Sequence, residues 1–197
     1  MLKNSILRLI LLIFAVSFTT SAFAIGPGDK AQDFTINNYD GIKYNLSEAL
    51  ANSKNGVIVM FWSTECPNVQ PYNDRINDYA KEYTDNGFTV WAINLNSTEP
   101  TDAVASHAKN NNYVFPVLKD NNNVVADLFG ATRTPEVYII GKDGTVLYHG
   151  RITDNKEKAA QTSHDLKTAA GEIAAGKEVS VKETKFFGCG IKRVESK

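Results

Sequence analysis

Val57-Ile58-Val59-Met60-Phe61-Trp62-Ser63-Thr64-Glu65-Cys66-Pro67 joins an apolar run to a cysteine and a proline. Six apolar residues, Val57 to Trp62, are rich in β-branched and aromatic side chains, the mark of a buried strand. Beyond it, Asn68 to Tyr83 carries Val69, Tyr72, Ile76, Tyr79, Ala80 and Tyr83 at helical spacing, which predicts a helix. Cys66 therefore falls on a strand-to-helix turn, at or near the helix N-terminus, where Pro67 is tolerated. Free N–H groups and the positive dipole end favour a thiolate there. The neighbouring Glu65 opposes it by like-charge repulsion.

Downstream, Asn86-Gly87 stops the helix and Phe88 to Leu95 reads as a second strand, apolar on both faces like a central strand under helices. Asn94 to Pro100 is a polar loop, and Thr101 or Asp102 opens a helix running to about Asn112. Tyr113 to Leu118 is a short strand broken by Pro116, at a sheet edge or a strand start. Val124 to Phe129 is a short helix ending at Gly130. Then comes Ala131-Thr132-Arg133-Thr134-Pro135-Glu136-Val137-Tyr138-Ile139-Ile140, a strand that a Gly141-Lys142-Asp143-Gly144 turn joins to Thr145–Arg151. A helix from about Lys156 to Ala175, with Ala160, Leu166, Ala169, Ala170 and Ile173 inward, closes the domain at Gly176. Upstream, Asp40-Gly41 makes a hairpin of Phe34–Ile36 and Ile42–Tyr44, and Ser47 is placed to cap a helix from Glu48 to Asn52.

Phe61-Trp62-Ser63-Thr64-Glu65-Cys66-Pro67 resembles the active-site segment of the thioredoxin superfamily, nearest its redoxin, AhpC/TSA-like branch and periplasmic thiol-disulfide oxidoreductases. Gly28-x-x-Ala31-x-x-Phe34 resembles that branch's opening, and Thr134-Pro135 its cis-proline. The resemblance implies an α/β, thioredoxin-like fold: a central mixed sheet flanked by helices, with an N-terminal β-hairpin extension. It places Cys66 as nucleophile. Trp62, Thr64, Glu65, Pro67, Thr134 and Pro135 would line the substrate site, with the Thr134 backbone presented to a partner like an extra strand. Ser63 and Arg133 would modulate the cysteine. Val69 replaces the family's second cysteine, so there is no Cys-x-x-Cys motif. The ending Gly188-Cys189-Gly190-Ile191-Lys192 resembles redoxins with a C-terminal cysteine and makes Cys189 the internal candidate for a resolving thiol.

Met1 to Ala24 has the form of a secretory signal peptide: Lys3 and Arg8, an apolar run from Leu9 to Phe18, and Ala22-Phe23-Ala24 as the cleavage site. Removing those 24 of 197 residues leaves 173, with 19 of the 21 basic side chains against 22 acidic ones, a formal charge of −3. The reading is thus a signal peptide (1–24), one thioredoxin-like domain (25–176) and a tail (177–197) carrying Cys189, in a periplasmic or secreted protein. The charge gives no basic footprint for nucleic acid, and no later segment would hold the cleaved chain to a membrane. In an oxidising compartment two cysteines can pair, and a Cys66–Cys189 bond would serve equally as catalytic pair or static staple.

Three chemistries stay open. In disulfide exchange, Cys66 attacks a protein or small-molecule disulfide and Cys189 resolves the product. In peroxide reduction, Cys66 becomes a sulfenic acid that Cys189 condenses with. There Ser63 supplies a hydroxyl three residues ahead, but Val59 stands in place of the peroxiredoxin proline and Arg133 is out of register. In the third, the protein is a binding module with a structural disulfide. No cofactor or metal is expected. His107, His149 and His164 lack ligand spacing, and no haem, phosphate-loop or Gly-x-Ser-x-Gly motif occurs.

Overall fold

The computed structural model describes residues 24–195, so the expected signal peptide lies outside the described residues up to position 23. The hairpin is β1 (Thr35–Asn37) against β2 (Lys43–Asn45), turned at Gly41 with φ 86°, a conformation that favours glycine. α1 (Leu46–Asn52) follows directly. Its cap is Asn45, whose side chain accepts from the Glu48 N–H at 2.9 Å. The expected cap, Ser47, instead gives its backbone N–H to Asp33 Oδ1.

β3 (Gly56–Trp62) is the decisive stretch, and all seven of its residues are buried. It lies between β4 (Phe88–Asn94), parallel, and β7 (Glu136–Ile140), antiparallel. β5 (Val117–Lys119) extends the sheet beyond β4 and β8 (Val146–Gly150) beyond β7, giving the order β5-β4-β3-β7-β8. Side chains alternate along β3. Ile58, Met60 and Trp62 pack with α2 (Ile76–Asp85), α3 (Thr101–Asn110) and α5 (Asp165–Ala174). Val57, Val59 and Phe61 face α1, the hairpin and α4 (Val124–Phe129). No helix among the described residues is long and apolar enough to cross a membrane.

Four element expectations need correction. The helix read from Asn68 starts only at Ile76, after a 3₁₀ turn at Gln70–Tyr72. Proline 71 lacks an N–H, Tyr72 and Asn73 donate to residues three back, and the Arg75 guanidinium takes the Pro71 carbonyl. Cys66 therefore sits in a turn, not at the end of α2. α3 stops at Asn110, two residues early. The strand read from Tyr113 begins only after Pro116, at Val117, on the sheet edge. Finally, α5 starts at Asp165 and leaves Ala160 exposed. The Asp154 carboxylate accepts from the Thr162 and Ser163 N–H groups, and Gln161 Nε2 donates to Thr153 Oγ1 and the Asn155 carbonyl. These local side-chain bonds outcompete the helical ladder.

After α5 the chain returns across the sheet edge. His149 donates its N–H to the Lys182 carbonyl and accepts from Thr184 N–H at its own. The tail then pairs as β9 (Cys189–Gly190) with β6 (Arg133–Thr134), the two residues before Pro135.

Candidate active site

Cys66 lies four residues past β3 and is 2% exposed. Its carbonyl accepts from Val69 and Gln70, which closes the turn. Its sulfur is bonded to that of Cys189, with the two Cα atoms 6.0 Å apart, inside the usual range for a disulfide. Thr134 and Pro135 face this bond. The Thr134–Pro135 peptide is cis, as the resemblance implied, and the Thr134 carbonyl oxygen lies 3.1 Å from Cys66 Sγ. Oxidised, that sulfur has no proton to give; as a thiol it would donate to this carbonyl. Asn68 touches both sulfurs: its backbone N–H reaches Cys66 Sγ at 3.4 Å and its side-chain Nδ2 reaches Cys189 Sγ at 3.5 Å. Beside the disulfide a shallow depression of about 250 Å³ is lined by Asn68, Asp154, Asn155, Lys156 and Phe187.

Two buried carboxylates fix the loops on either side. Glu99, 1% exposed, accepts five hydrogen bonds. Ser63 Oγ (2.5 Å) and Asn96 Nδ2 (2.6 Å) reach Oε1. Thr64 N–H (2.7 Å), Thr64 Oγ1 (2.6 Å) and Asn94 Nδ2 (2.6 Å) reach Oε2. Burial pushes this carboxyl up, but the Ser63, Thr64 and Asn96 donors together hold it below its usual range. The clamp ties the turn carrying Cys66 to the end of β4. Lys119 backs it, with Nζ donating to Asn94 Oδ1 and the Asn96 carbonyl, and burial lowers the pKa of this ammonium.

Glu136, also 1% exposed, does the same for β6. Its Oε2 accepts from the Thr132 and Arg133 N–H groups at 3.0 and 3.1 Å, while Oε1 accepts from Tyr138 OH and meets His149 Nε2 at 2.9 Å. Neither carboxylate, nor Asn68 or His149, was among the site residues read from sequence. Glu136 had a signal: an acid heading the apolar run Val137–Ile140 must be partnered if the strand buries it. Glu99, in a polar loop, had none.

The structure brings Cys66, Cys189, Thr134 and Pro135 together. Ser63 and Thr64 stand behind the turn, their hydroxyls committed to Glu99. Trp62 is fully buried and donates Nε1–H to Tyr113 OH. Glu65 and Pro67 are exposed at the rim, with the Pro67 carbonyl accepting from Lys156 Nζ. Arg133 is exposed and its Nη1 donates to the Gly188 carbonyl at 3.0 Å, gripping the tail. Among the described residues no group of three or more His, Cys, Asp or Glu is placed to hold a metal ion.

The sequence model of the AhpC/TSA family matches residues 27–149, more than half of the chain. The chain belongs to the AhpC/TSA family. This family span takes in β1 to β7 and all but the last residue of β8, and stops short of the tail with Cys189. One relative, the thiol-disulfide oxidoreductase ResA of Geobacillus thermodenitrificans, is 26% identical over 165 residues, 81% of this chain and 92% of ResA. Two crystal structures are similar throughout. An uncharacterized conserved protein of Geobacillus kaustophilus is 26% identical with a TM-score of 0.80, covering 87% of this chain and 94% of that one. A hypothetical protein of Sinorhizobium meliloti 1021 is 28% identical with a TM-score of 0.79, covering 88% and 98%. Within the AhpC/TSA family this chain has the thioredoxin-like architecture: a five-stranded mixed sheet flanked by helices.

Proposed function

We propose that this protein is a thiol-disulfide oxidoreductase whose exchanging pair is Cys66 and Cys189. The observation that carries the reading is their disulfide, held against the backbone of Thr134 and Pro135 with Asn68 donors at both sulfurs. In the reduced protein the Cys66 thiolate attacks a partner disulfide. A Cys66–partner bond forms and the partner's other sulfur leaves as a thiolate. Cys189 then attacks Cys66 and releases the partner, now fully reduced. The ResA relatives, named for the same chemistry, support this. The partner is a protein or small-molecule disulfide, engaged over the rim residues Glu65 and Pro67 and the Thr134 backbone, with Arg133 and Glu65 tuning the cysteine. The Ser63 hydroxyl is bound to Glu99, which favours exchange over peroxide chemistry. We also propose export through the Met1–Ala24 leader, since a disulfide of this kind persists in an oxidising compartment.

The test is titration of the native protein with glutathione redox buffers, with the thiol state read by mass after alkylation. Exchange predicts reversible opening at a potential above about −300 mV. It also predicts loss of all disulfide reductase activity in Cys66→Ser. A bond that stays closed in the folded protein would make it a staple, and the binding-module reading would replace this one.

A further inference from the structure

In this structure the edge before Pro135 is already filled, by the protein's own tail. β9 pairs antiparallel with β6, with Thr134 opposite Cys189 and Arg133 opposite Gly190. The Ile191 N–H continues the ladder to the Thr132 carbonyl at 3.1 Å. A cysteine in a strand on this edge, bonded to Cys66, is the arrangement that a covalent complex with a partner requires. We infer that residues Gly188–Lys192 are a tethered copy of the partner segment, and that the edge selects an extended Gly-Cys-x-aliphatic sequence. The inference rests on exchange through Cys66 and names the substrate class for that site.

Each position of the copy has its own environment. A Cβ at Gly188 would collide with the Thr134 carbonyl oxygen and come within 2.8 Å of the carbonyl carbon. Both are backbone atoms on a loop fixed by Glu136, so they yield little. The residue before the cysteine must therefore be glycine. A Cβ at Gly190 would meet nothing within 4 Å, so the residue after the cysteine is free to vary. Ile191 packs against the cluster containing Phe129, Ala131 and Tyr138, which calls for an aliphatic side chain. Lys192 is held by its backbone alone, its N–H donating to Asn96 Oδ1 and its carbonyl accepting from Ser97. The two glycines thus flank the same cysteine but differ in what surrounds them, which gives a matched internal control.

The test uses the full chain with Cys189→Ser, so that Cys66 is the only thiol. The probes are the peptide Phe-Phe-Gly-Cys-Gly-Ile-Lys and its variants, each with its cysteine activated as a mixed disulfide with thionitrobenzoate. Cys66 attacks the peptide sulfur, the protein–peptide disulfide forms, and thionitrobenzoate leaves as a coloured thiolate. Each rate is divided by that of the same peptide with glutathione, which removes intrinsic reactivity. Valine in place of the glycine before the cysteine slows the reaction at least about tenfold. Valine in place of the glycine after it changes the rate by less than about threefold. Serine in place of isoleucine slows it about fivefold or more. Adding Gly188→Val to the protein's own tail dislodges the competitor and speeds the parent peptide. Equal effects of the two valines, or no acceleration on dislodging the tail, would overturn the inference and leave exchange through Cys66 standing. No reaction with any peptide would overturn both.

Discussion

Glu99→Gln tests whether the buried carboxylate behind Cys66 is a structural clamp. The change keeps the shape and removes the charge. Five donors reach the carboxylate, three on Oε2 and two on Oε1. An amide accepts through only one oxygen, so one side must face an NH₂ group. With the oxygen kept at the Oε2 position, an Asn96 N–H loses its acceptor, and the new NH₂ faces a Ser63 hydroxyl that already accepts from the Glu65 N–H and from Asn96 Nδ2. A buried donor left without a partner costs about 1–3 kcal/mol. The three remaining bonds fall from charge-assisted to neutral, about 1 kcal/mol each. Relief of the carboxylate's desolvation offsets part of this, leaving a net loss of about 2–3 kcal/mol. For a chain of this size that lowers Tm by about 5–10 °C. Urea unfolding at pH 7 measures it directly. The sign of the pH dependence is fixed by the lowered pKa. The contribution is complete above the unfolded value, about 4.3, and is lost as pH falls through the folded one. The gap between wild type and Glu99→Gln should therefore close on acidification. A variant within about 0.5 kcal/mol of wild type at neutral pH, or a gap that widens in acid, would refute the clamp.

Three further outcomes follow from positions away from the sulfurs. Gly56→Ala places a Cβ against the Ile140 carbonyl at φ 118° and should cost at least about 3 kcal/mol in urea unfolding; a cost under 1 would show that β3 and β7 can part. Phe61→Ala empties a site between Phe129 and Tyr138, whose ring centroids lie 5.4 and 5.7 Å away, and should cost about 3–5 kcal/mol with no change in which cysteines are paired. Arg193→Ala removes the tail's contacts to Asp127 and the Ala131 carbonyl; native-state hydrogen exchange should quicken about fivefold at the Val194 amide while α2 is unaffected.

The sheet was legible because β3 and β4 carry long apolar runs whose burial any fold must provide, and because Asp40-Gly41 and Asp143-Gly144 announce their turns. The two long helices were overread for one reason. Apolar spacing reports which side chains turn inward, and a 3₁₀ turn or a loop fixed by Asp154 turns them inward as well as a helix does. Pro71, and Thr153-Asp154-Asn155 with Thr162-Ser163 at the two ends of the loop, were the signals against. At the site, Cys66, Thr134 and Pro135 were visible through local motifs. Whether Cys66 and Cys189 are bonded stayed open because nothing local relates positions 123 apart. The Glu99 clamp was invisible for the same reason: its donors Ser63 and Thr64 lie 36 and 35 residues earlier.

The long reach between the two cysteines also sets an order of events in the protein's making. Ribosomes add about 5–20 residues per second. The 123 residues from Cys66 to Cys189 thus take roughly 6–25 s, after which the exit tunnel still holds the newest segment. β3 to β8, and with them both layers of the core, precede Cys189 in the chain. During that interval Cys66 is a thiol without its own partner, on a nascent chain whose β6 edge has no strand to cover it. Any disulfide that Cys66 forms before the tail arrives is therefore one with another molecule, and the internal bond can close only as the last step.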